Sequence, residues 1–144
     1  MSAPRFDPAQ LRNADAAGLR HLGAPGVQLL HEACAERGFL LCPIDLRGCV
    51  GRDAVLSRFA LALAFPDWFG GNWDALADAL GDLGWLPEHD GYVLLLMGLD
   101  DYARADPDGH AVLVELLAAV ADVWRPVGVP FWSLAVDPPG RAAD

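Results

Sequence analysis

The chain has 144 residues, with 10 basic and 20 acidic side chains, a formal net charge of −10 and 53% hydrophobic residues. That length fits one domain, with an extension at most, and the composition is globular rather than disordered. Every basic residue is Arg; an acidic excess of this size excludes roles that rest on neutralising nucleic-acid or anionic-membrane phosphates, and favours solubility or a cationic partner.

The first residues, Met1 to Pro8, lack the apolar core of a secretory signal. Apolar runs such as Tyr92 to Met97 are far short of the ~18 residues of a membrane span. The three cysteines, Cys34, Cys42 and Cys49, cannot all pair within one chain. A cytoplasmic protein with free thiols is expected.

Residues 1–37 read as an N-terminal extension. Up to Gly26 the segment is rich in Ala, Pro, Gly and Asp without a sustained period. A short helix is expected from Val27 to Arg37, with Gly38 placed to end it. The domain proper then runs over residues 38–137. Phe39 to Leu46 reads as a strand, with Pro43 suggesting an edge or a bulge. Asp53 is positioned to cap a helix reaching about Phe65, where Pro66 stops it. A Gly-Gly-Asn turn introduces a second helix, Trp73 to Leu83, with Leu76, Leu80 and Leu83 on its apolar stripe. Tyr92 to Met97 is continuously apolar, as a strand covered on both faces would be. Gly98 to Gly109 reads as an Asp-rich loop. A long helix, His110 to Trp124, is expected to bury Leu113, Leu116, Leu117, Val120 and Val123. Phe131 to Val136 forms the last strand, and residues 138–144 a frayed tail. This order predicts an α/β fold, a small three-stranded parallel sheet flanked by helices.

One stretch calls for more than folding. From Phe59 to Ala103 there is no Arg or Lys, yet there are eight acids. Asp74, Asp78 and Asp82 recur every four residues on the second helix. Like charges at that spacing destabilise a helix by roughly 0.2–0.5 kcal/mol per pair, so the stripe either faces water or receives something cationic. Just before it stands Phe65-Pro66-Asp67-Trp68-Phe69-Gly70-Gly71-Asn72-Trp73. Rigid aromatics beside bare carboxylates have the composition of a binding hot spot. Phe69 and Trp73 are expected to pack inward, Asn72 to cap the helix, and Gly70 and Gly71 to supply positive φ or let another molecule approach the backbone.

The string from Phe65 to Leu76, followed by Asp78 and Leu80, closely resembles the signature of the barstar family, intracellular inhibitors of secreted microbial ribonucleases of the barnase type. The resemblance implies that Asp78 enters the ribonuclease active site in place of a substrate phosphate. It further implies that Asp74 is a second acidic contact and that Trp68 packs on the nuclease's catalytic histidine. Gly70 and Asn72 match the turn that meets the enzyme, and Gly71 and Trp73 complete the contact. Ala77 stands where the family often has an interface tryptophan. The acid that the family's third helix contributes has no clear counterpart, Asp122 lying near. The implied partner is a basic ribonuclease, met by a chain that is monomeric when free. A second reading keeps the fold and binds another basic protein.

No other chemistry emerges. His31 and Cys34 share i, i+3 spacing, but two ligands do not make a zinc site. Cys42 and Cys49 read as core residues. Gly70-Gly71 is followed by Asn-Trp-Asp, unsuited to an anion. Asp74 and Asp78, one turn apart on an open face, lack the pocket that acid–base catalysis uses. Neither an enzyme nor a cofactor is expected.

Overall fold

A computed structural model describes residues 4–137. A short 3-10 turn at Pro8–Gln10 precedes strand β1 (Leu19–Leu22), and a second, Ala24–Gly26, leads into helix α1 (Val27–Arg37) and strand β2 (Phe39–Asp45). Helices α2 (Arg52–Ala62) and α3 (Trp73–Asp82) follow, then strand β3 (Gly91–Met97). Helices α4 (Leu99–Ala105) and α5 (Pro107–Trp124) and a 3-10 turn, Arg125–Val127, lead to strand β4 (Phe131–Val136). The α1 helix ends as expected, with Gly38 in the left-handed region at φ +71°.

The sheet has four strands, not three, in the order β1-β4-β3-β2, all parallel. The extra strand lies inside the segment read as an extension, with Leu19 opposite Ser133 and Leu22 opposite Val136. Four residues are too few to show a two-residue period, and Arg20 and His21 mask the apolar signal. Their polar groups are met locally. The Arg20 guanidinium donates to the Leu19 and Ala16 carbonyls and lies 5.9 Å from the Trp132 ring centroid. His21 Nδ1 sits 3.1 Å from Asp137 Oδ1.

Alternation along the strands splits the interior into two cores. Tyr92, Leu94, Leu96, Phe131 and Ala135 face the larger one, closed by Val55, Phe59, Leu76, Leu80, Tyr102, Leu113 and Leu117 from α2 to α5. Val93, Leu95, Trp132 and Leu134 face the other, closed by Leu30 and Cys34 of α1 with Phe6, Leu11 and Ala17. Right-handed crossovers account for this division, because the chain crosses the sheet once in one direction and steps back in the other. Trp132 is buried at 1% exposure, and its indole N–H donates to the Leu11 carbonyl at 2.8 Å.

Several local expectations change. The α2 helix is preceded by Gly51, and Asp53 sits in its first turn rather than at the cap. The Asp-rich stretch after Gly98 is helix α4, too short to show a periodic pattern, and α5 begins earlier, at Pro107. Asp106 separates the two helices, accepting from Gly109 N at 3.1 Å and from the Tyr102 hydroxyl at 2.8 Å. Val123 is exposed instead of buried. Asp137 is tied in, its N–H donating to the Leu22 carbonyl at 2.9 Å; residues 138–144 of the expected frayed tail lie outside the described residues.

Candidate functional site

The corner between α2 and α3 sets the geometry. Gly71 adopts φ +72°, a conformation other residues avoid. Gly70 does not, and a Cβ placed there would meet the Ala75 Cβ at 3.4 Å and Asn72 Nδ2 at 4.0 Å, both ordinary contacts. The fold therefore favours glycine at 71 through its backbone conformation and has no such reason at 70. Asn72 Oδ1 accepts from Ala75 N at 2.7 Å, capping α3 as its position suggests.

Leu76, Ala79 and Leu80 seat α3 on the larger core, with Trp73, Phe69 and Ala77 packed half-buried against it. At the far end of α3, the Trp124 indole N–H donates to the Leu80 carbonyl at 2.9 Å, fastening the helix to α5. The apolar stripe points inward, so Asp74, Asp78 and Asp82 point out, and all three are exposed. Asp82 Oδ1 accepts from Gly84 N at 3.1 Å. Among the described residues, no ion pair involves Asp67, Asp74, Asp78, Asp82, Glu88 or Asp90. Five arginines are paired elsewhere: Arg47 with Asp45, Arg52 with Asp53, Arg104 with Asp101, Arg125 with Asp122 and Arg5 with Asp137.

Trp68 stands out from the corner at 57% exposure. Its ring meets Trp85 edge-on at 5.6 Å, and Trp85 meets Phe65 in the same way at 5.5 Å. The Trp85 indole N–H is fixed on the Leu63 carbonyl at 3.0 Å. Trp85 is a support that the sequence reading did not assign. Its signal was a tryptophan directly after Gly84, in a stretch without cations.

Asp122 is not available in the same way as Asp78. Arg125 pairs with it, and the same guanidinium donates to the Ala14 and Ala17 carbonyls at 3.3 and 3.0 Å. The arrangement is thus a rigid helix offering uncompensated carboxylates next to a braced aromatic ring. Its chemistry is recognition of positive charge.

The other candidates fall into place as structure. Burial pushes the Cys34 and Cys42 thiols up to about 11 and raises that of Cys49, which disfavours the thiolate. His31 is exposed and Cys34 buried on α1. No group of three or more metal-ligating side chains occurs among the described residues. Among them, no helix is long and apolar enough to cross a membrane.

A scan against family models matches residues 39–135 to barstar, described as the barnase inhibitor. The chain belongs to the barstar family. The matched region runs from the first residue of β2 to within one residue of the end of β4 and includes the whole corner and α3; β1 and α1 precede it. No match was found among curated proteins. Family members are inhibitors rather than enzymes, and membership points to a ribonuclease as the kind of partner.

Proposed function

We propose that this protein is a cytoplasmic inhibitor of a barnase-type ribonuclease, monomeric when free, which plugs the enzyme's cationic cleft with the carboxylates of α3. A ribonuclease must hold positive side chains around the phosphate whose charge builds up in the transition state. Asp78, with Asp74 one turn earlier, imitates that anionic track. Trp68, Gly70, Gly71, Asn72 and Trp73 form the surrounding contact, and Ala77, beside the two acids, adds little contact area of its own. The observation that carries this reading is the pair of exposed carboxylates, Asp74 and Asp78, that no arginine among the described residues neutralises.

The test is a titration of barnase activity with the purified protein, expected to reach a stoichiometric endpoint. Full activity at a large excess of the protein refutes the proposal. A second reading, in which the same face binds a basic protein that is not a nuclease, draws support from Asp122. Its neutralisation by Arg125 leaves the α5 flank without the acid expected there, which changes what a partner must offer.

A further inference from the structure

Beside the corner, α2 and the glycine turn border an open groove of about 400 Å³. Leu56 and Ala60 line it from α2, Phe69 and Gly71 from the corner, and Arg52 and Asp53 also border it. The two charged residues pair with each other at 3.1 Å. Their mutual neutralisation leaves no net sign in the groove, so it favours an uncharged occupant, in contrast to the bare acids of α3. Phe69 is held by Phe65 at 4.7 Å between ring centroids, so one wall is fixed before anything enters.

We propose that this groove is a second half of the partner-binding surface, receiving one aliphatic or aromatic side chain from a loop that flanks the partner's basic cleft. The inference rests on the inhibitor reading and extends it from charge to shape. Continuity supports it: Gly71 belongs both to the groove and to the turn that launches α3, one residue before the Asn72 cap. A protein seated on Asp74 and Gly70 therefore reaches the rim of the groove. Well-packed apolar anchors next to charged contacts are the usual source of interface energy.

Ser57 is exposed on α2 and lines the groove, which makes it the position to fill. With barnase as the probe, Ser57→Trp is expected to weaken binding by about tenfold or more. The thermal midpoint should match the parent; if the indole lowers it, Ser57→Met repeats the test with a flexible filler. Equal or tighter binding by the filled variants, alongside a loss with Asp78→Ala, overturns the groove alone. Failure of the parent to bind barnase overturns the inhibitor reading, and this inference with it.

Discussion

Two polar surfaces of this protein obey opposite rules. In the N-terminal belt, polar groups are satisfied internally: Arg20 on the Leu19 and Ala16 carbonyls, Arg125 on Ala14, Ala17 and Asp122, and the Trp132 indole on Leu11. On α3 and its corner, carboxylates stand without ion pairs among the described residues, and a tryptophan ring stands out from the surface. The belt therefore holds the fold together, and the corner keeps its interactions for another molecule. Damage to the first should register in stability, and damage to the second in binding.

The largest expected effect comes from deleting residues 1–25. This removes β1 and the Phe6, Leu11 and Ala17 cover over Trp132, and the cooperative thermal transition should be lost. A deletion variant that melts like the parent would show that the belt is dispensable. Next, Asp78→Ala should cost about 2–5 kcal/mol in partner binding, a range drawn partly from charge pairs of the barnase–barstar complex itself. The thermal midpoint should hold or rise slightly, because an i, i+4 repulsion disappears. Association measured by stopped flow should also slow as salt is raised; a salt-independent rate would contradict steering by the acidic face.

A smaller effect is expected at Tyr102. Its buried hydroxyl donates to Asp106, and burial, followed by that bond, holds its pKa above the ordinary tyrosine value. The folded state resists ionisation while the unfolded chain ionises at about pH 10, so this contribution is intact below that pH and is lost as pH climbs beyond it. Tyr102→Phe should cost about 1–2 kcal/mol and flatten the alkaline limb of a stability–pH curve. Smallest is Ser133→Ala. Ser133 Oγ is buried without a hydrogen-bond partner, so its removal should stabilise by up to about 1 kcal/mol in chemical denaturation. A loss there would reveal a partner for the hydroxyl.

The same contrast explains what could be read from the sequence. The corner was legible because local rules write it: Asn before a helix, Gly where φ turns positive, and a leucine stripe that forces the aspartates outward. Strands β2, β3 and β4 were legible because they are covered by helices and largely apolar. β1 was not, since its four residues become a strand only when β4 lies alongside, a contact between positions more than a hundred residues apart. Helix α4 was hidden by its length and its acids. The pairing of Asp122 with Arg125 has suitable spacing in the sequence, but the carbonyls of Ala14 and Ala17 that fix the arginine do not. Trp85 went unassigned for the same reason, because its value lies in the ring it supports.

The fastening of α3 at both ends, by Asn72 at its start and by Trp124 on the Leu80 carbonyl near its finish, has a thermodynamic corollary. A helix already fixed in place has little conformational entropy left to surrender on docking. The heat-capacity change of complex formation should then match the surface covered between two rigid bodies, without the excess that accompanies folding upon association.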